Sequence, residues 1–213
     1  MIRVLVADDH AVVRRGVRQI LEEAPDMVVA GEASTCHEVL RAVWEHDYDV
    51  LVLDIAMPDG GGLEVLKQLR TLKPGLRTLI LSMYSEKQYA LRALMCGAAG
   101  YLTKESAPAE LLSAIRKVAL GGHYLTQTVA EELAAEVGGE PGKEPHASLS
   151  DREYQVLHLL ATGKSVTAIA AELSLSVKTV STYRGRILEK LGLKNTAEIV
   201  RYAYEHGLVA SSQ

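Results

Sequence analysis

Hydrophobic positions in the first half of the chain fall into short continuous runs separated by longer stretches of helical period. The apolar runs 2–7, 27–32, 50–54, 77–82 and 100–103 read as strands. Between them, apolar residues recur at three- and four-residue spacing near 11–23, 36–46, 62–72, 86–96 and 108–120, which predicts helices. Pro108 stands in the first turn of the last, where a missing amide costs nothing. Five βα units follow. The near-continuous Val/Leu/Ile composition of strands one, three and four implies burial on both faces, hence a doubly wound parallel sheet of the α/β class.

Character changes after residue 120. Gly121-Gly122 leads through an acidic, Ala-rich piece, with a short helix predicted over 128–137, to the Gly/Pro cluster 138–145, so residues 121–147 read as a mobile linker. The remainder is helical throughout. Ser150-Asp151-Arg152-Glu153 is a capping box ahead of Val156, Leu157, Leu159 and Leu160, and Gly163 closes that helix. A second helix, 166–173, is joined by Ser174-Leu175-Ser176 to a third, 177–191, and a fourth covers 196–206. Two helices about three residues apart, the second of them basic, fit a helix-turn-helix. The chain thus divides into 1–120, a linker 121–147, and a smaller four-helix all-α domain 148–213.

Composition narrows the class. With 213 residues, 48% of them hydrophobic, the chain is globular and sized for two modest domains. No run approaches the roughly 18 apolar residues of a bilayer span, and Met1-Ile2-Arg3-Val4 enters a strand without a signal-peptide pattern, so a cytoplasmic location is expected. Cys36 and Cys96 have no partner pattern and read as plain buried thiols. The net charge of -4 is unevenly spread. Lys+Arg against Asp+Glu is 14 to 16 over residues 1–124, 1 to 5 over 125–147 and 8 to 6 over 148–213. Lys178, Arg184, Arg186, Lys190 and Lys194 face only Glu189, a local basic helix suited to nucleic acid.

The candidate chemistry lies at strand ends. Strand one closes on Asp8-Asp9, strand three on Asp54, strand four on Ser82, and Lys104 follows strand five. In a parallel sheet these ends share one edge, where α/β folds bind ligands. Acids meeting there would repel by roughly 4 kcal/mol per pair at about 4 Å and an effective dielectric near 20, so a cation must intervene. Oxygen-only ligands select a hard ion such as Mg²⁺, whose spare coordination accepts a phosphoryl oxygen. Asp54 is then a candidate nucleophile, Lys104 a counter-charge and Ser82 a hydrogen-bond donor to the phosphoryl group. His10 beside the acid pair reads as a solvent-exposed helix-start residue.

On the helix 177–191, Val177, Val180, Ile187, Leu188 and Leu191 form the expected buried stripe. Lys178, Ser181, Thr182 and Gly185 lie opposite, small enough for close approach to base edges in a major groove, with Thr179, Arg186 and Lys190 placed for phosphates. Ile199, Val200, Ala203 and Tyr204 give the fourth helix an apolar face that either packs within the domain or pairs two domains.

Asp8-Asp9, Asp54, Met57-Pro58, Ser82, Tyr101 and Lys104 together resemble the receiver domain of two-component response regulators, a flavodoxin-like fold. Residues 148–208, including Lys178-Thr179-Val180, resemble the LuxR-type helix-turn-helix, and the whole chain resembles the NarL/FixJ family. The resemblance implies a DNA-binding transcription regulator in which Asp54 receives a phosphoryl group from a histidine kinase. It implies Mg²⁺ held by Asp9, Asp54 and the Ala56 carbonyl, Asp8 orienting water on that ion, and Ser82 with Tyr101 as a switch pair. A homodimer on an inverted-repeat site in double-stranded DNA is implied too. Two departures stand out: Met83 where alanine is frequent, expected to tighten the pocket beside Ser82, and Glu105 where proline is frequent, which predicts a trans peptide after Lys104. Two rival readings remain open: a regulator whose receiver only dimerises, and a Mg²⁺-dependent phosphohydrolase, although that class resembles a motif with two acids one residue apart.

Overall fold

The computed structural model describes residues 1–84, 86–106, 108–126, 129–131 and 145–209. Its contacts divide into two compact units, 1–136 and 137–213. In the first unit, β1 (Ile2–Ala7), β2 (Met27–Ala33), β3 (Val50–Leu53), β4 (Arg77–Ser82) and β5 (Gly100–Thr103) form one parallel sheet in the order β2-β1-β3-β4-β5. The helices are α1 (Ala11–Glu22), α2 (Cys36–Glu45), α3 (Gly62–Leu72), α4 (Glu86–Cys96) and α5 (Pro108–Ala119). The expected doubly wound α/β sheet is therefore observed, with helix and strand bounds within one residue of the apolar pattern.

Period-two alternation sorts the strand residues between two cores. Val4, Val6, Val50, Val52, Leu79, Leu81 and Leu102 face one layer, where Val17 and Leu21 of α1 and Leu111, Ala114, Ile115 and Val118 of α5 cover them. The remaining helices stack in sequence, α2 on α3 and α3 on α4. Leu5, Leu51, Leu53, Ile80 and Tyr101, the alternate strand positions, are also buried.

The first residues of the expected linker behave otherwise. Tyr124 bridges to Gly100 at the edge of β5, with its amide bound to the Ala99 carbonyl at 2.9 Å and its carbonyl accepting from Tyr101 N at 3.3 Å. Its hydroxyl donates to Glu110 on α5 at 3.1 Å and Lys117 lies over its ring. The chain through Tyr124 thus caps the sheet edge, because β5 would otherwise leave backbone donors and acceptors unpaired. Of the helix expected over 128–137, only Val129–Glu131 falls among the described residues, helical there, and the 138–144 cluster lies outside them.

The second unit contains α6 (Asp151–Ala161), α7 (Val166–Glu172), α8 (Val177–Leu191) and α9 (Thr196–Glu205). Each begins with a side-chain N-cap. Ser150, Ser165, Ser176 and Asn195 accept from the amides of Glu153, Ala168, Thr179 and Glu198, which fixes where each helix starts. The capping box at Ser150 and Glu153 closes in both directions. Between α7 and α8 the chain turns through Ser174 at φ 52°, a left-handed position that tightens the connection.

Candidate functional site

The strand ladders deliver the acids. Asp8 N bonds to the Ala33 carbonyl at 3.1 Å and Asp54 N to the Ala7 carbonyl at 2.9 Å, so both residues continue their strands by one rung. Lys104 N does the same on the Ser82 carbonyl at 2.8 Å. The three side chains consequently meet: Lys104 Nζ lies 2.6 Å from Asp8 Oδ2 and 2.8 Å from Asp54 Oδ2. Asp8 and Asp54 are 3% and 2% exposed, so this is a buried cluster and not a surface ion pair.

Its electrostatics follow from that burial. Desolvation pushes the Asp54 carboxyl above its ordinary value and Asp8 adds to the effect, while Lys104 and the Ala56 amide oppose it. For Lys104 burial acts downward, but the Asp54 and Asp8 carboxylates outweigh it and hold the ammonium above its ordinary value. Lys104 is therefore a fixed positive charge aimed at Asp54.

The loop after β3 is shaped by its backbone. Asp54 Oδ1 accepts from Ala56 N at 3.1 Å, and Gly62 N closes onto the Ile55 carbonyl at 3.0 Å. A Cβ on Gly62 would stand 2.3 Å from the Asp54 carbonyl oxygen, so only glycine lets α3 start this close to the site. Asp59 takes φ 62° and sends its carboxylate to the amides of Cys36 at 2.8 Å and His37 at 3.3 Å, anchoring the loop on the first turn of α2. Sequence reading gave Asp59 no role. Its partners lie over 20 residues away, beyond the reach of local pattern.

Ser82 is fully buried, its Oγ accepting from Tyr84 N at 3.2 Å. The ring of Tyr101 is turned inward, 1% exposed, and its hydroxyl donates to the Tyr84 carbonyl at 2.9 Å. Tyr84 thus touches both residues through its own backbone, and it stacks on Tyr89 of α4 with ring centroids 4.5 Å apart. Sequence reading missed Tyr84, which carries no motif signal. The expectation for Met83 needs correction: it is 70% exposed, so it does not fill the pocket around the fully buried Ser82. The Lys104–Glu105 peptide is trans, as expected.

The donor set suits a hard divalent cation. One ligand atom from each of Asp8, Asp9, His10 and Asp54 fits within 4.8 Å of the others. Asp9 Oδ1 is buried from solvent and lies 2.7 Å from His10 Nδ1 at the side of this cluster. Carboxylate oxygens at one sheet edge are the ligands that Mg²⁺ takes.

In the second unit, Val180 and Ile187 of α8 are fully buried and Leu188 and Leu191 half-buried. Val177, assigned to the same stripe, is 48% exposed at the first position of α8. Lys178, Ser181, Thr182, Gly185 and Arg186 are exposed and Thr179 is half-buried, its hydroxyl 2.8 Å from that of Ser176. Thr182 donates back to the Lys178 carbonyl at 3.0 Å. Arg184, counted in the basic run of the sequence, ties α8 to the start of α9 through Thr196 at 3.3 Å. Lys190 is not free for a phosphate: its Nζ lies 2.6 Å from Glu153, a buried carboxylate, and 3.2 Å from the Ser148 carbonyl. On α9, Ile199 and Ala203 are buried within the unit, whereas Val200 is half-buried and Tyr204 is 43% exposed.

Comparison with known proteins agrees with this division. Residues 4–116 match the family model of the response regulator receiver domain, and residues 147–203 that of the bacterial regulatory proteins of the luxR family. The chain is 37% identical over 209 residues to the response regulator UvrY of Escherichia coli K12, covering 98% of this chain and 96% of UvrY. It is 40% identical over 205 residues to the transcriptional regulatory protein UhpA of Salmonella typhimurium LT2, covering 96% of this chain and 99% of UhpA. Among solved structures, RcsB from Salmonella enterica serovar Typhimurium, bound to promoter rprA in the presence of the phosphomimetic BeF3−, has a TM-score of 0.65 and 29% identity. That match covers 96% of this chain and 99% of RcsB.

Proposed function

This chain belongs to the NarL/FixJ response regulators, which join a receiver domain to a LuxR-type DNA-binding domain, and from that premise we propose that phosphorylation of Asp54 controls its binding to DNA. The observation that carries this reading is the approach of Lys104 Nζ to Asp54 Oδ2 at 2.8 Å. In phosphoryl transfer from a kinase histidine, an Asp54 carboxylate oxygen bonds to phosphorus as the P–N bond breaks, and the imidazole leaves with the electron pair. The product carries more negative charge than the carboxylate it replaces. Lys104 offsets that charge on one side. Mg²⁺ held by Asp9, Asp54 and the Ala56 carbonyl would offset it on the other, with Asp8 close by. Ser82, now turned to the Tyr84 amide, can swing its hydroxyl to a phosphoryl oxygen and release Tyr84, which also holds the Tyr101 hydroxyl. The path from Asp54 to α4 then runs through that one residue.

Residues 1–120 serve as receiver and 148–213 as the DNA-binding domain, with the linker starting beyond the Tyr124 attachment. Lys178, Ser181, Thr182 and Gly185 on α8 face base edges, and Arg186 and Thr179 reach phosphates. Lys190 drops out of that set and instead fixes the C-terminal half of α8. Two copies on an inverted repeat would meet through α9, where Val200 and Tyr204 remain accessible. RcsB has been solved on promoter DNA and as dimers on DNA, which supports the same mode here. The site acts on the chain itself in a cytoplasmic regulator, without turnover of an external substrate. Incubation of the full chain with radiolabelled acetyl phosphate and Mg²⁺ tests the acceptor: one labelled site is expected, absent in Asp54→Asn. Undiminished label in that variant would refute the assignment.

A further inference from the structure

At the end of the sheet opposite Asp54, three cations surround one cavity. Arg77, the first residue of β4, Arg70 in the last turn of α3 and Lys73 just after it line a space of about 310 Å³ with Leu66, Leu69 and Leu76. No carboxylate is among the described residues that line it. Lys73 Nζ lies 3.1 Å from Asp47 Oδ1, but that carboxylate is 95% exposed, and such a surface pair is weak. Asp49, whose carbonyl accepts from the Arg77 amide, turns its own carboxylate to the Arg3 amide at 2.7 Å. Arg70 lays its aliphatic stem across Gly97, where a Cβ would stand 3.2 Å from Arg70 Cδ, and its guanidinium has no ion pair among the described residues. The guanidinium of Arg77 is held by backbone: Nη2 donates to the Gly121 and Gly122 carbonyls at 3.2 and 3.0 Å. Positive charges gathered without matching acids repel one another and raise the local potential for an anion.

We propose that this cavity binds a small phosphate monoester, its phosphoryl group among Arg70, Lys73 and Arg77 and its organic part against the three leucines. Three positive charges facing one exposed acid call for a dianion, and a phosphate monoester carries about -1.5 to -2 at neutral pH. Guanidinium forks match its oxygens two at a time. The volume stands at the lower end of the range for small-molecule sites, which fits a compact ligand. Binding also reaches the chain beyond α5. An Arg77 drawn to the phosphate gives up donors now on Gly121 and Gly122, so occupancy is felt on the segment that leads to Tyr124. The chemistry of Asp54 plays no part in this site.

Amide NMR of the full chain in EDTA, titrated with phenylphosphonate, tests the site. The P–C bond of that probe cannot pass its phosphorus to Asp54, and its ring samples the apolar wall. Saturable shifts are expected at Arg77, Gly97, Gly121 and Gly122, with tighter binding than inorganic phosphate shows. Arg70 is exposed, so Arg70→Gln leaves the fold intact, and it should weaken binding by about tenfold, the worth of one charge-assisted contact. Lys67→Gln removes another exposed cation of α3, one that does not line the cavity, and should leave affinity within about twofold at physiological ionic strength. Equal weakening in the two variants would reveal diffuse attraction to a basic surface and overturn the site. Shifts that never saturate, or that are confined to Asp8, Asp9 and Asp54, would overturn it as well. Saturation that leaves Gly121 and Gly122 unmoved would refute the part given to Arg77.

Discussion

The Nζ of Lys104 and the Oδ2 of Asp54 are 2.8 Å apart at the ends of β5 and β3, across the end of the intervening β4, in a pocket where Asp54 is 2% exposed. Lys104 holds two carboxylates, Asp8 and Asp54, that would otherwise face each other uncompensated. Removal of one partner from such a group is costly. Lys104→Met should therefore lower the stability of the first unit by about 3 kcal/mol in metal-free buffer at neutral pH, with part of the loss recovered in millimolar Mg²⁺. Urea unfolding of the full chain with and without Mg²⁺ reads both effects, and an unchanged midpoint in either buffer would show that the cluster is not electrostatically strained.

A second prediction concerns Glu153 and Lys190. The Glu153 carboxyl is raised by burial, but Lys190 and the Ser150 amide and hydroxyl outweigh this and hold it below its ordinary value of 4.5. Its stabilising contribution is thus present above that value and lost as pH falls below it. His158 lies on the same helix, and burial, helped by Lys164, holds its imidazole below the ordinary 6.5, so the fold favours the neutral ring. That contribution too is present above the ordinary value and fades as pH drops past it. The helical unit should lose stability in two stages on acidification, the first below about 6.5 and the second below about 4.5. His158→Gln should flatten the first stage, and Lys190→Met should cost about 2 kcal/mol at neutral pH and diminish the second. Circular dichroism melts from pH 7.5 to pH 3.5 check both, and an unchanged pH profile in the two variants would contradict them.

Gly185 gives a third. It sits inside α8, where glycine costs roughly 0.5–1 kcal/mol against alanine, yet a Cβ there would meet nothing within 4 Å among the described residues. The described residues give no packing reason for glycine, which is consistent with the close approach to DNA proposed above. Gly185→Ala should raise the thermal midpoint of the helical unit while weakening DNA binding, and Gly185→Leu should weaken it further. Stability and affinity that rise together would remove Gly185 from the interface.

Much of the carboxylate pocket was legible because it is written in local pattern. An apolar run that stops at a charge announces a strand end, and a parallel sheet brings all such ends to one edge; Asp8, Asp54, Ser82 and Lys104 all follow from that. The bounds of α8, 177–191, follow from Ser176 as cap and Gly192 at φ 67° as terminator. What stayed hidden depends on partners distant in sequence. Lys190 reads as one more basic residue of a DNA helix until Glu153 arrives from another helix, and Val177 reads as core until its surroundings are known. Tyr84 has no sequence signal at all, since its backbone does the work. Nor does spacing reveal that Gly62 is demanded by a carbonyl eight residues earlier.

The most direct test of the account measures DNA affinity as a function of phosphorylation at Asp54. A fluorescent duplex, selected from a random pool by the acetyl-phosphate-treated chain, is titrated with wild type and Asp54→Asn, each with and without phosphodonor and Mg²⁺, and followed by anisotropy. The account predicts that phosphodonor tightens binding of the wild type and leaves Asp54→Asn unchanged. Equal affinity of phosphorylated and unphosphorylated wild type would contradict it, and would leave the first unit with a part other than a phosphorylation switch.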